Sequence, residues 1–369
     1  MDLYYYTTAE TMKYILSGGN IFATNMKYMN DSEEYLNGLK EVRDYLLDIA
    51  DKQDSLVQAA QRKLSKALYE KRREGEINSF SISFSTARDL LSQWSMYAKE
   101  SGVSLKMEFE ERDYEFLTYN PSDKDRDTRA NYCMYPQKVY YFTKGVLDKK
   151  QYIETGRQII LKMQEQFDRQ GMEDYDDNIE KLWLWITPFV KRADFGAEEE
   201  YRLVFDFNNV KFYTPRVDFR VDKNVIKPYL DIGLKEGWPI TEIIVGPGFN
   251  QEAVFNGISY YLSKGKVLVP PVTMGEMGKR IEEYFQNMKP AGINARSVNS
   301  LLSQWDKKYT DFVKGVKADD KDAADKLYHE FWNYLVTKSN DKRYRDYIRN
   351  NYLAASGIVL KKSKIPYIY

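Results

Sequence analysis

The run Ser79-Phe80-Ser81-Ile82-Ser83-Phe84-Ser85-Thr86 alternates hydroxyl and large apolar residues without a break. Side chains alternate across a strand, so this run makes a strand with one apolar face and one hydroxyl face. A helix would scatter the same residues around its circumference and bury hydroxyls on every side. The chain must therefore build a sheet around this run and find a use for its polar face. Solvent is one use; a ligand cleft is another. Leu90, Leu91, Trp94 and Tyr97 follow at helical spacing, with Asp89 placed to cap the helix, and Gly102 opens a second alternating strand through Val103, Leu105, Met107 and Phe109.

A further strand is predicted at Phe195-Gly196-Ala197-Glu198-Glu199-Glu200-Tyr201-Arg202-Leu203-Val204-Phe205, where a Gly-containing turn runs into an apolar, aromatic segment. In regular alternation Glu198, Glu200 and Arg202 share one face. Two acids and a base on one face read either as a solvent-facing edge with an intrastrand ion pair or as a pocket-lining acid pair held by an arginine.

The chemistry open to the chain is narrow. It has one cysteine, Cys133, and one histidine, His329, among 369 residues. One cysteine excludes an intrachain disulfide framework and Cys-rich zinc sites and fits a reducing, cytoplasmic compartment, and the one histidine argues against histidine metal clusters and Ser-His-Asp triads in the core. Chemistry must come from carboxylates, hydroxyls, amides, Tyr, Arg or Lys. The formal net charge is +0, so no strongly basic, phosphate-neutralising surface is implied. No apolar run reaches membrane-spanning length.

Along the rest of the chain, Leu3 to Tyr6 reads as a strand, followed by a Thr7-x-x-Glu10 capping box, a helix carrying Met12, Ile15 and Leu16, and a Gly18-Gly19 stop. Ile21 to Asn25 is a short strand. Helices carry Tyr35, Leu39, Val42 and Leu46, then Leu56, Ala60, Leu64 and Leu68, the first begun at Asn30-Asp31-Ser32. The charged, Pro/Asp-rich residues 111–130 read as a mobile loop, residues 144–170 and 177–192 as helices, and Val210 to Val221 as a pair of strands. Thr241 to Val245 is a buried strand stopped by Gly246-Pro247-Gly248. Residues 275–353 are helical and highly charged, with Trp305, Phe331 and Trp332 among their aromatics, and residues 357–367 are strand-like again.

Several of these stretches together resemble the bacterial domain-of-unknown-function family 2971: Leu3-Tyr4-Tyr5-Tyr6-Thr7, Asn30-Asp31-Ser32-Glu33-Glu34, Phe84-Ser85 with Leu91-x-x-Trp94-x-x-Tyr97-Ala98 and Gly102-Val103, Glu198-x-Glu200-Tyr201-Arg202, Ile243-Ile244-Val245-Gly246, and Lys362-Ser363-Lys364-Ile365-Pro366-Tyr367. Tyrosine stands at position 5, where the family usually has histidine. The order of the motifs carries the resemblance over nearly the whole chain except residues 275–353.

The same layout resembles, more weakly, the ADP-ribosyltransferases. That resemblance implies NAD as the cofactor and no metal. It places Glu200 as the catalytic carboxylate and Glu198 as the group that orients the acceptor or its nucleophile. Tyr5, Tyr6 and Thr7 on the first strand, Ser83 and Ser85 on the hydroxyl strand, Trp94 and Tyr97 on the helix, and Arg202 would hold the NAD. Loss of nicotinamide gives an oxocarbenium-like centre, which a fixed carboxylate stabilises. Trp94 and Tyr97 have core packing as the competing assignment.

The expected fold is α+β: a curved, mostly antiparallel, split sheet flanked by helices and similar to ADP-ribosyltransferases. The expected organisation is a core domain at 1–274, a helical insertion at 275–353, and a final strand at 354–369 returning to the core. The expected function is an NAD-dependent ADP-ribosyltransferase-like effector, a toxin or phage-defence protein, with a nucleic acid or protein acceptor and no membrane partner. Two alternatives stand beside it. One is a sensor or adaptor that binds a protein partner or antitoxin through Trp305, Phe331 and Trp332 of the insertion. The other is a Mg²⁺ nuclease using Asp31, Asp89, Glu198 and Glu200.

Overall fold

The computed structural model describes residues 1–18, 20–29, 34–48, 78–98, 102–119, 129–169, 187–206, 216–222, 224–264, 274–288, 295–313, 351–353 and 358–366, with isolated positions between 58 and 69 and between 323 and 334. The cap at Asn30-Asp31-Ser32, the helix at 177–186, Trp332 and Tyr367 lie outside the described residues. The chain divides into two compact units, each assembled from separate stretches: Met1–Gly19, Arg88–Glu110 and Glu236–Tyr369 form the first, Asn20–Ala87 and Glu111–Lys235 the second. The block 275–353 falls within the first unit.

The first unit carries β1 (Asp2–Thr7), α1 (Ala9–Gly18), α3 (Leu91–Tyr97), β4 (Val103–Glu108), β13 (Ile240–Val245), α5 (Gln251–Lys264), α6 (Met274–Met288), α7 (Ala295–Val313), β14 (Asn351–Leu353) and β15 (Val359–Lys362). Its strands run in the order β14-β15-β13-β4-β1. All pairs are antiparallel except β13 with β15, which is parallel. The last strand of the chain is thus laid beside β13 (Ile243 opposite Leu360).

Several of the sequence motifs meet here. Trp94 packs with Tyr4, Tyr6, Ala98 and Ile244, its ring edge-on to Tyr6 at a centroid distance of 4.7 Å. Its Nε1 donates to Asp89 Oδ1 at 2.7 Å, and the same oxygen accepts from Ser363 Oγ at 2.7 Å. Asp89 therefore does not cap α3, whose N-cap is Leu90 with no side-chain hydrogen bond; it is spent on fixing the indole and the C-terminal motif. Gly246 must be glycine because a Cβ there would lie 2.7 Å from the Trp94 ring.

The second unit carries β2 (Asn20–Asn25), α2 (Glu34–Asp48), β3 (Ser79–Ser85), β5 (Tyr114–Tyr119), β6 (Arg129–Met134), β7 (Gln137–Lys138), β8 (Tyr140–Tyr141), α4 (Lys149–Arg169), β9 (Val190–Lys191), β10 (Glu200–Asp206), β11 (Asp218–Asp222) and β12 (Val225–Leu234). Its main sheet runs β3-β2-β12-β5-β6, with β10 on β3, β7 on β10 and β11 on β12. These pairs are all antiparallel. β8 and β9 form a parallel two-stranded sheet.

Two expectations need correction. Part of the supposed loop 111–130 is the hairpin strand β5: Tyr114, Phe116 and Thr118 alternate inward and are buried. Residues 187–191 are not the end of a helix. They form a 3₁₀ turn, Thr187–Phe189, followed by β9, because Pro188 cannot sit in a helix interior. Of the strand pair predicted at 210–221, residues 210–215 lie outside the described residues, while β11 covers the end of the span and pairs with β12; Pro228 is accommodated because, among the described residues, β12 is paired at that position with β11 alone, at Phe219. The general α+β class, with mostly antiparallel sheet and flanking helices, is what the chain adopts.

Candidate functional site

The site grows from the pairing of β3 with β10. Glu200 lies opposite Ser85, Arg202 opposite Ser83 and Val204 opposite Ser81. Directly paired residues point to the same side, so the hydroxyl row, a carboxylate and a guanidinium share one face. On the other face Phe80, Ile82 and Phe84 pack with Leu203 and Phe205, all buried.

Regular alternation stops before Glu200. Residues Ala193–Glu198 form a 3₁₀ turn, and Glu199 takes a left-handed conformation with φ 45°. A non-glycine residue there stores strain of about 1 kcal/mol or more. Bonds to β3 and its exit hold it: Thr86 Oγ1 donates to Glu199 Oε2 at 2.6 Å, Thr86 N to Glu199 O at 3.1 Å, and Ser85 Oγ to Glu198 O at 2.6 Å. Glu198 is thus not on the strand, contrary to the alternation reading. The kink nevertheless turns Glu198 inward beside Glu200 and sends Glu199 out to solvent.

What joins the two acids is Lys191 of β9. Its Nζ donates to Glu198 Oε2 at 2.7 Å and to Glu200 Oε2 at 3.1 Å. Arg202 grips Glu200 from the other side, Nε to Oε1 at 2.6 Å and Nη2 to Oε2 at 2.8 Å, while Nη1 donates to Pro188 O at 2.6 Å. Exposure is 4% for Lys191, 6% for Glu198, 4% for Glu200 and 0% for Arg202. Burial alone would raise the Glu200 carboxyl; the charges of Arg202 and Lys191 and their hydrogen bonds outweigh it and hold the group below the ordinary carboxylate range. The Tyr141 hydroxyl accepts from Glu200 N at 2.8 Å, and burial holds it protonated above the usual phenol range. Helix α2 reaches the covering segment through Gly38, where a Cβ would come within 2.8 Å of Val190 O.

The hydroxyl row divides. Ser85 Oγ is committed to Glu198 O and also accepts from Ala87 N at 3.0 Å. Ser81 Oγ and Ser83 Oγ are buried without a hydrogen-bond partner among the described residues. Ser83 lies close enough to Glu200 to favour its ionised form, without a hydrogen bond of ordinary geometry.

The remaining sequence candidates belong to the first unit. Tyr6 and Trp94 are core residues, and Tyr6 Oη accepts from Leu90 N at 3.2 Å; both rings are taken up by packing. Tyr97 packs partly buried against them, Thr7 is buried and Tyr5 half-buried. The structure thus brings together Ser83, Ser85, Glu198, Glu200 and Arg202, and adds Lys191, which sequence reasoning missed. Pro188 was the available signal, since a proline cannot sit in a helix interior and so argues against a helix running through Lys191.

Of the anchors proposed for a partner, Trp305 and Phe331 are buried, with ring centroids 5.0 Å apart; Phe331 also meets Phe285 at 5.3 Å. Among the described residues no group of three or more His, Cys, Asp or Glu could hold a metal ion, and no helix is long and apolar enough to cross a membrane.

The class these observations define is an α+β protein with a buried two-acid, two-base cluster beside a hydroxyl strand. Comparison with protein-family models, with curated proteins and with solved structures finds no match in any of the three. The resemblances named above therefore rest on their motifs, and function must be argued from the cluster.

Proposed function

We propose that the chain is an ADP-ribosyltransferase-like effector that uses NAD and modifies a macromolecular acceptor. The observation that carries this is the register of β10 on β3, which sets Glu200 among hydroxyls on one face. The strained turn at Glu199, pinned by Thr86, adds support, because stored backbone strain clusters at functional sites. NAD supplies a glycosidic bond whose nicotinamide can leave with the bonding electron pair. Glu200 is suited to hold a ribose hydroxyl and to stabilise the positive charge that develops at the anomeric carbon. Glu198 is suited to take the proton from the acceptor's attacking hydroxyl or amine. Ser83, whose hydroxyl lies beside Glu200, is suited to bond the ribose.

The cluster as it stands is closed: both carboxylates are buried and paired with cations. Turnover therefore requires Lys191 and the 193–198 turn to withdraw. That same closure favours a second reading, in which the four charges only lock the fold and the protein binds a partner without chemistry. Isothermal titration of the full chain with NAD, beside Glu200→Gln, separates the two. The transferase reading expects heat with the wild type and at least about tenfold weaker binding with the variant, a loss of about 1.4 kcal/mol. No heat in either, with both proteins folded by circular dichroism, favours the structural lock.

A further inference from the structure

The first unit contains a cavity of about 310 Å³ between α6 and the sheet face formed by β4, β13 and β15. A helix over a sheet normally closes on apolar side chains. Here both walls are polar. The sheet contributes Lys106, Glu108, Thr241, Glu242 and Lys361, and apolar lining is limited to Val359 and the ring of Tyr284.

The sheet-side carboxylates are already satisfied. Glu242 accepts from Arg88 Nη2 at 2.9 Å and is paired with Lys361. Glu108 accepts from Lys106 Nζ at 2.8 Å and from Thr241 Oγ1 at 2.9 Å. The helix wall differs. Lys279, Glu283 and Asn287 lie one turn apart on α6 and make no hydrogen bond or ion pair among the described residues, while Arg280 beside them also acts electrostatically on Glu108. Cations that face a polar void select an anion, best a phosphate that can accept several charge-assisted bonds. A carboxylate and an amide beside them select hydroxyls, because an ionised carboxylate can only accept. The scarcity of apolar wall argues against a lipid chain or a stacked base.

We propose that this cavity binds a small phosphorylated sugar, with Lys279 and Arg280 on the phosphate and Glu283 and Asn287 on the hydroxyls. The size suits such a ligand, near the lower end of small-molecule sites. This site is independent of the transferase proposal, whose acids belong to the other unit.

The test is isothermal titration of the full chain with ribose 5-phosphate, ribose and inorganic phosphate as probes. The expected result is that ribose 5-phosphate binds more tightly than either fragment. Lys279→Ala with Arg280→Ala should weaken it about tenfold or more, and Glu283→Gln should weaken ribose 5-phosphate while leaving inorganic phosphate unchanged. The single Lys279→Ala variant removes an exposed side chain, so a weakened signal from it at unchanged melting temperature supports the site without a folding ambiguity. Absence of binding at millimolar ribose 5-phosphate, or equal affinity in wild type and the double variant, overturns the site. Equal affinity for inorganic phosphate and ribose 5-phosphate overturns the sugar assignment.

Discussion

Replacing Arg202 with methionine should be among the most damaging single changes in the second unit. The guanidinium is fully buried, and its hydrogen bonds include two to Glu200 and one to Pro188 O. Methionine fills similar space but leaves Glu200 buried with Lys191 Nζ, 3.1 Å away, as its remaining cation among the described residues. Breaking a buried pair by removing one partner costs about 3–5 kcal/mol, because an uncompensated charge stays behind. With a urea slope of about 2 kcal/mol per molar, the midpoint should fall by about 2 M. The cost is one of unpaired charge, so a second substitution should relieve it: Glu200→Met with Arg202→Met should recover most of the loss, as apolar replacement of a buried pair often does. The assay is urea unfolding at neutral pH followed by circular dichroism. A midpoint shift below about 0.3 M, or a double variant as unstable as Arg202→Met alone, would refute the view that these charges are mutually dependent in a dry site.

Other outcomes follow from the same physics. The Glu200 carboxyl is depressed in the folded state, so its contribution is fully present above the ordinary carboxylate range, about pH 4.3, and is lost as pH falls through the lower folded value. Stability measured against pH should therefore decline on that acid limb, and the decline should be shallower in the Glu200→Met, Arg202→Met double variant. Gly246→Ala should cost about 1–3 kcal/mol through overpacking against Trp94, read as a lowered urea midpoint. Asp89→Ala leaves Trp94 Nε1 and Ser363 Oγ without their acceptor and should cost a similar amount, about 1–3 kcal/mol, with a change in tryptophan emission.

How much of this was legible in the sequence depends on whether the signal is local. The alternation of Ser79 to Ser85 specifies β3 and its two faces, since period-two patterning is a property of the strand itself. Glu200 and Arg202 follow for the same reason. Glu198 fails because the φ of Glu199 breaks the alternation, and no glycine or asparagine stands there to announce it. Lys191 is invisible because its partners are seven and nine residues away across a turn, and its own strand has two residues. The charge of 111–119 hides β5, although Tyr114, Phe116 and Thr118 alternate. Trp94 and Tyr6 show the opposite limit: the aromatic residues of a motif announce themselves in sequence, but whether they hold a ligand or each other is decided by packing. The meeting of Asp89, Trp94, Gly246 and Ser363 gives those motif residues a structural role that needs no ligand.

The role proposed for Glu200 in ADP-ribosyl transfer from NAD calls for one measurement above the others: the purified full chain is incubated with NAD labelled in its adenylate part and cell extract, alongside Glu200→Gln. The expected result is label on a macromolecule and released nicotinamide with the wild type, and neither with a folded Glu200→Gln protein. Labelling that persists undiminished in Glu200→Gln, or no nicotinamide release from the wild type across acceptors of protein and nucleic acid, would contradict it and leave the buried charges as a lock on the fold.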